Sequence, residues 1–325
     1  MGLLWVSLLM TILVLSNNEL KPIGQFLMKT KMKFLMLALL LAGGYLIVVH
    51  GCAPITSDDS SSKINITMVN IPAGTFMMGT PTSEPNHGAN ETQFQVTLSA
   101  FRMSKNEITN AQYAAFLNAE KIGGNALYAA GAYPNQTLIY QSTPPYDWGL
   151  HYSGTQWVPV AGFENSPVTA VNFYGATVFA TYVGGRLPTE AEWEYACRAG
   201  TTGPFSTGNC LSSLDANYGW SMPYNTCART NNPSPGKPLA VGSYAPNAWG
   251  LCDMQGNEWE WCSDIYGAYP TTPQTNPTGA KTGTGRVTRG GSYDASAAMC
   301  RSGSRAGCDA NPITGLNMGM RIVMN

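Results

Sequence analysis

The chain has 325 residues, a formal charge of −1 and only 11% charged residues, well under the roughly 25% of an average soluble protein. Charge this sparse and this balanced builds no positive field to gather nucleic acid, which sets aside DNA- and RNA-binding classes. Abundant Gly (35), Pro (21), Tyr (16) and Trp (8), with little amphipathic periodicity, point to a loop-rich fold held by turns and aromatic packing; the length suits one large irregular domain as well as two.

Taken in chain order, the N-terminus reads as a targeting device. Met28-Lys-Thr-Lys-Met-Lys33 is basic, and Phe34 to Val49 is an apolar run of signal-peptide length. It ends at Val49-His50-Gly51-Cys52, which resembles a bacterial lipobox apart from His50, so Cys52 is the expected lipidation site. Plain secretion and a retained membrane anchor are the alternatives. A further apolar stretch, Leu3 to Leu15, is short against the roughly 20 residues of a membrane span; it reads as a start assigned upstream of Met28 or Met32, with a transmembrane helix as the other reading. The expected division is residues 1–52 as leader, 53–65 as a flexible tether and 66–325 as the folded domain. The protein is then anchored to the membrane by lipid, outside the cytoplasm of a bacterial envelope, in the periplasm or at the cell surface.

Eight cysteines fit an oxidising compartment. With Cys52 lipidated, Cys197, Cys210, Cys227, Cys252, Cys262, Cys300 and Cys308 remain, an odd set that leaves one free or paired outside the chain. Spacing does not fix their connectivity. No CxxC pair with histidine partners exists, and His50, His87 and His151 offer little for zinc or histidine catalysis.

Within the domain, Met68 to Gly79 alternates apolar residues through a Pro-Ala-Gly turn and predicts a hairpin. Val96 to Met103 predicts another strand. Thr109 with Gln112 has capping-box spacing and opens a helix bearing Tyr113, Phe116 and Leu117 on one face. Residues 121–165 show no period and read as long loops. A second helix is expected from about Asn172 to Val183, stopping at Gly184-Gly185. Thr189 with Glu192 forms another capping box, for a short helix ending at Gly200. Beyond it only turns and short strands are expected. Arg186, Glu190, Glu192 and Glu194 surround that last helix start, where carboxylates complement the helix dipole.

Several segments in order carry a family resemblance. They are Ile71-Pro-Ala-Gly-Thr-Phe-Met-Met-Gly79, Asn106-Glu-Ile-Thr-Asn-Ala-Gln-Tyr113 and Gly185-Arg-Leu-Pro-Thr-Glu-Ala-Glu-Trp-Glu-Tyr-Ala196. After them come Asn247-Ala-Trp-Gly-Leu-Cys-Asp-Met-Gln-Gly-Asn-Glu-Trp-Glu-Trp261, Arg289-Gly-Gly-Ser-Tyr293 and Asn317-Met-Gly-Met-Arg321. Together they resemble the formylglycine-generating enzyme, or sulfatase-modifying factor, family. The resemblance implies an α+β, C-type-lectin-like fold, loop-rich with few short strands and two or three helices, and structural calcium. Calcium takes six to eight oxygens. By the resemblance Asp253 and Glu260 supply side chains and Gly256 and Glu258 main-chain oxygens, with a second site at Asn217, Tyr218 and residues near Asn231. A purely structural role for the Glu-Trp-Glu-Trp run is the alternative.

The redox site departs from the family pattern. Working members carry two cysteines after Gly-Gly-Ser-Tyr that act with copper on a substrate cysteine; here Ala295 stands at the first position and Cys300 at the second. Soft Cu(I) wants soft donors, and one thiol is not two, so copper is not expected and no catalytic residue is assigned. Cys300 then reads as a structural disulfide partner. The stretch between Tyr293 and Met318 is small, polar and aperiodic, and resembles the variable region of lectin-fold proteins diversified by retroelements. By that resemblance Cys300-Arg301-Ser302 and Arg305 are anchors. The ligand contacts are then Tyr293, Asp294, Ala295, Ser296, Met299, Ser304, Ala306, Gly307, Asp309, Leu316 and Asn317. The leading expectation is a non-catalytic lipoprotein displaying a binding face to an unknown protein or surface ligand. A formylglycine-generating oxidase and a structural envelope lipoprotein of the gliding-motility or secretion type are the alternatives.

Overall fold

Local signals build the helices. Thr109 is extended (φ −85°, ψ 161°), its hydroxyl accepts from Gln112 N, and its own N–H donates to the Gln112 side chain at 2.9 Å, so the capping box is formed. It opens α1 (Asn110–Ala119), which buries Tyr113, Ala114, Phe116 and Leu117. Asn172 caps α2 (Phe173–Tyr182) by accepting from Gly175 N at 2.8 Å. Thr189 and Glu192 form the second capping box, for α3 (Glu190–Arg198), which stops through Ala199 in the left-handed region. The computed structural model describes residues 64–129, 131, 133–229, 234–311 and 317–325. The expected leader with Cys52, most of the tether, the residues near Asn231 and Leu316 lie outside the described residues.

The strands correct two expectations. β1 (Met68–Ile71) and β2 (Gly74–Met78) do not pair with each other. β1 pairs antiparallel with β4 (Phe101–Ser104), and β2 with β3 (Phe94–Leu98). The one strand expected over Val96 to Met103 is therefore two, broken at Ser99 and Ala100. Pro72 has no N–H to continue a ladder, and the corners at Pro72 and Ser99 hand the chain from one sheet to the other. The two sheets share a core: Ile71, Phe101 and Met103 pack in the same cluster as Met78, Phe94 and Val96.

Residues 121–165 hold more than loop, with β5 (Leu127–Tyr128) on β6 (Gln136–Thr137) and β7 (Leu150–Tyr152) on β8 (Trp157–Pro159). Further on, β9 (Trp259–Ile265) is central. β10 (Gln274–Thr275) runs parallel to β3, while β11 (Gly285–Arg289), β12 (Ala306–Asp309) and β13 (Met318–Gly319) complete a four-stranded sheet ordered β12-β11-β9-β13. β14 (Val323–Met324) closes on β4. A 3-10 turn at Ala297–Cys300 interrupts the C-terminal segment. It packs with Phe205, Leu211, Tyr218 and Tyr224 in a cluster of its own, close to the Cys210–Cys227 disulfide. Cys300 is a free, buried thiol, which overturns the disulfide reading for it.

Candidate functional site

The C-terminal segment is bolted to the body by buried ion pairs. Arg289, at the end of β11, donates through Nε to Glu190 at 3.0 Å and through a terminal nitrogen to Glu194 at 2.8 Å. Its other terminal nitrogen bonds the carbonyls of Ser302 and Ser304. Arg305 pairs with both oxygens of Glu190 at 2.7 Å, and Arg301 with Glu84 at 2.7 Å and Glu91 at 2.8 Å. The helix dipole is thus not the main use of the α3 glutamates: Glu190 and Glu194 hold arginines, and Glu192 caps the helix and pairs with Arg186. Burial alone would raise the Glu190 pKa, but the Arg289 and Arg305 guanidiniums outweigh it and hold it below the usual carboxylate range. Arg301 and Arg305 are anchors in the physical sense, and Glu84 and Glu91 are partners that no local pattern announces.

Ala295 is buried and Cys300 is fully enclosed. A Cβ placed on Gly291 would lie 2.6 Å from the Cys300 sulfur, so backbone packs directly over the thiol. Burial, with the neighbouring Cys197, pushes the Cys300 thiol far up. Cys197 is itself buried, is pushed up to about 11 by burial, and bonds the Ser302 hydroxyl at 3.5 Å. Reactive thiols sit in electropositive, accessible places; these two do not. Cys308 lies apart on β12, 3.7 Å from the Thr288 hydroxyl.

Beside that enclosed position lies a surface formed by exposed Tyr146, Met222, Asp294 and Met299 over the buried rings of Trp148 and Tyr293. Asp294 is exposed, and its Oδ1 accepts from Ser292 Oγ at 2.6 Å and Asn317 Nδ2 at 3.0 Å. Tyr293 packs edge-on against Trp148 with ring centres 5.6 Å apart, and Trp148 against Tyr146 at 5.6 Å. Tyr146 and Met299 are each 51% exposed, and Met222 is 43% exposed. The loop carrying Met222 is tied in by Gly219 N donating to Ala295 O at 2.8 Å and Ala297 N donating to Met222 O at 3.1 Å. Rigid aromatics and adaptable methionines around one carboxylate are the composition of a binding surface.

The expected contact residues divide. Tyr293, Asp294 and Asn317 come together. Ser296 is half-buried and Met299 exposed on the adjoining 3-10 turn. Ala295 and Ser304 are buried and present no surface. Ala306, Gly307 and Asp309 sit on edge strand β12, where a Cβ on Gly307 would meet the Tyr266 ring. Tyr146, Trp148 and Met222 were not foreseen. The Trp-Gly of Trp148-Gly149 inside an aperiodic stretch was their one faint signal.

Behind the face lies a carboxylate cluster. Asp253 and Gly256 both take left-handed backbone, φ +56° and +83°. Asp253 accepts from Gly242 N at 2.6 Å, and burial pushes it up to about 6. Glu260 accepts from Arg321 at 2.6 and 2.7 Å and from Trp193 Nε1 at 2.7 Å, so its carboxylate is engaged by protein donors. Glu107, which the sequence did not single out, accepts from Asn257 Nδ2 at 2.7 Å and Glu258 N at 3.1 Å. Burial raises it most, then Asp253 and Glu260. Asn217 donates to Asn257 Oδ1 and to Lys237 O, while its own side-chain oxygen has no donor. Tyr218 donates its hydroxyl to Leu211 O at 2.9 Å. Among the described residues no three His, Cys, Asp or Glu side chains have metal-centre spacing. The residues fit calcium in part: Asp253 and Glu107 offer carboxylates and Asn217 a buried free oxygen, but Glu260 is spent on Arg321.

Comparison with known proteins gives this arrangement its family. The sulfatase-modifying factor enzyme 1-like domain matches residues 56–325. The chain is 33% identical to mouse formylglycine-generating enzyme over 253 residues, covering 72% of this chain and 68% of that protein. It is 33% identical to the Streptomyces coelicolor enzyme over 245 residues, covering 69% and 78%. Among solved structures, PvdO from Pseudomonas aeruginosa superposes with a TM-score of 0.61 at 24% identity, over 81% of this chain and 95% of that one. Treponema denticola variable protein 1 superposes with a TM-score of 0.58 at 22% identity, over 79% and 94%; identities of this size speak for the fold alone. Three capped helices among the described residues, small corner-linked sheets and a family match across the whole folded region agree: the chain belongs to the formylglycine-generating enzyme, or sulfatase-modifying factor, family and has its α+β, C-type-lectin-like fold.

Proposed function

We propose that this protein is a non-catalytic, lipid-anchored envelope protein that uses the family scaffold to display a binding face around Asp294. The observation that carries the reading is the pairing of Ala295 with an enclosed Cys300: the family's two-sulfur centre has one sulfur, and that sulfur is roofed by Gly291. Beside it, the exposed Tyr146, Met222, Asp294 and Met299 supply apolar area and charge to a partner, with buried Trp148 and Tyr293 packed beneath them. The test is direct. Incubated with Cu(I), oxygen and a Cys-x-Pro-x-Arg peptide, the protein should leave the peptide cysteine unchanged by mass spectrometry. Copper-dependent conversion to formylglycine would overturn the reading.

The lipidated Cys52 rests on the Val49-His50-Gly51-Cys52 motif. Diversification of the face rests on a pattern: exposed Asp294 and Met299 are followed by the buried anchors Arg301 and Arg305. A near-copy of the coding sequence for that segment beside a reverse-transcriptase gene would support it.

Calcium belongs to the same reading. Asp253 and Glu107, with main-chain oxygens near Gly256 and Glu258, would hold one ion, and Asn217 the start of a second donor set. A bound ion would offset the mutual repulsion of Glu107, Asp253 and Glu260 and so stabilise the fold. Calcium at a hundredfold excess over its dissociation constant contributes about 2.7 kcal/mol. Chelator should therefore lower the melting temperature by several degrees, restored by calcium and not by magnesium. A melt indifferent to both would count against the site.

A further inference from the structure

Glu258 carries a buried carboxyl group with no hydrogen-bond partner among the described residues. It is 0% exposed, and both carboxylate oxygens lack a hydrogen-bond partner in the protein. The Thr169 hydroxyl stands close enough to favour its charged form, yet neither side chain completes a hydrogen bond of normal geometry. The charges that act on Glu258 are acidic: Glu107 and Asp294. An uncompensated buried carboxylate is costly, which is why such groups are paired, protonated or used.

Its position says which use. Tyr293 N donates to Asn257 O at 2.9 Å and Trp259 N to Asn317 O at 3.0 Å, so Glu258 is bracketed by the two residues that carry and hold Asp294. On the other side, a Cβ on Gly319 would touch the Glu258 Cβ at 3.3 Å and Val168 O at 2.9 Å, and one on Gly149 would touch Thr169 at 3.0 Å. Glu258 and Thr169 therefore lie next to the backbone that carries Tyr293 and Trp148. The indole N–H of Trp148 is also buried without a partner.

We propose that Glu258 and Thr169 form an ammonium subsite behind the aromatic face, which takes a lysine side chain of a protein partner. This deepens the binding-face reading and rests on it. The donor count favours a primary ammonium: three N–H groups match two carboxylate oxygens and one hydroxyl. Its compact head suits an enclosed site better than a planar guanidinium fork. Tyr293 and Trp148 are buried, so a cation reaches Glu258 only as these rings turn on their two side-chain torsions, and it gains from their faces as it loses water. Exposed Asp294 attracts the cation to the mouth, and Glu258 receives it.

The test is calorimetric titration of the full chain in detergent with saturating calcium, using n-butylammonium, n-butanol, tetramethylammonium and Nα-acetyl-lysine methylamide as probes. n-Butylammonium should bind at least tenfold tighter than n-butanol or tetramethylammonium, which has no N–H. The lysine probe should bind at least as tightly as n-butylammonium. Glu258→Gln should lose tenfold or more of that affinity, and Thr169→Val a smaller part. No preference for n-butylammonium on the unaltered protein, or equal affinity in a folded Glu258→Gln, overturns the subsite; a lysine probe that fails to bind overturns the lysine side chain as occupant. Should Glu258→Gln not fold, the comparison of probes on the unaltered protein and Thr169→Val decides. Oxidase activity would sink the non-catalytic reading separately, whatever the probes do.

Discussion

Arg289→Ala should lower the melting temperature by roughly 10 °C. The guanidinium is completely buried and bonds Glu190, Glu194, Tyr269 and the carbonyls of Ser302 and Ser304. Removing it leaves two buried carboxylates sharing Arg198 and Arg305, strands two carbonyls and opens a cavity. Breaking one partner out of a buried pair costs about 3–5 kcal/mol, and a domain of this size shifts by about 2–4 °C per kcal/mol. Arg289→Lys should rescue little, because a point charge cannot reproduce the fork. Arg186→Ala is the contrast. That side chain is 40% exposed in its pair with Glu192, and such pairs contribute under about 1 kcal/mol. Thermal melts of the three variants, followed by circular dichroism, check the ranking; equal losses for Arg289→Ala and Arg186→Ala would contradict it.

Gly256→Ala should be of similar severity and should also remove calcium-dependent stabilisation. At φ +83° the position already disfavours a side chain, and an added Cβ would sit 2.2 Å from Asn217 O and 2.9 Å from that carbonyl carbon. Both contacts are backbone, so no rotamer relieves them. Strain of about 1–3 kcal/mol for the dihedral adds to about 1–3 kcal/mol for overpacking. Gly154→Ala separates the two terms: φ is +98° there but nothing lies within 4 Å. It should lose only the dihedral part. Urea unfolding of both variants, with and without calcium, measures the difference.

What could be read in advance follows the range of the interaction. Both capping boxes were legible because Thr109 with Gln112, and Thr189 with Glu192, are closed over three residues. The family motifs were legible because ordered runs such as Gly185 to Ala196 survive as sequence. Strand partners were not. The apolar alternation through Pro72 and through Ser99 is the same for a flat hairpin as for a corner between sheets, and only the shared core of Ile71, Met78, Phe94 and Met103 selects the corner. Arg301 needed partners 210 and 217 positions away, Glu91 and Glu84, and Arg305 needed Glu190, 115 away, to be recognised as buried ion pairs. Ser304 looked like a contact residue because it is small and polar; its carbonyl holds Arg289 instead. Glu258 was read for its main-chain oxygen, and nothing local reveals that its carboxylate is enclosed without a partner.

On the proposed reading Cys300, the one sulfur left at the family's redox position, serves the fold and binds no copper. Anaerobic Cu(I) titration against a chromophoric chelator tests it most directly, comparing the unaltered protein with Cys300→Ser. Thiolates are the donors Cu(I) selects, so a working centre would hold the ion against the chelator. Superimposable titrations are expected, with no equivalent of copper dependent on Cys300. One equivalent retained by the unaltered protein and lost in Cys300→Ser would contradict it.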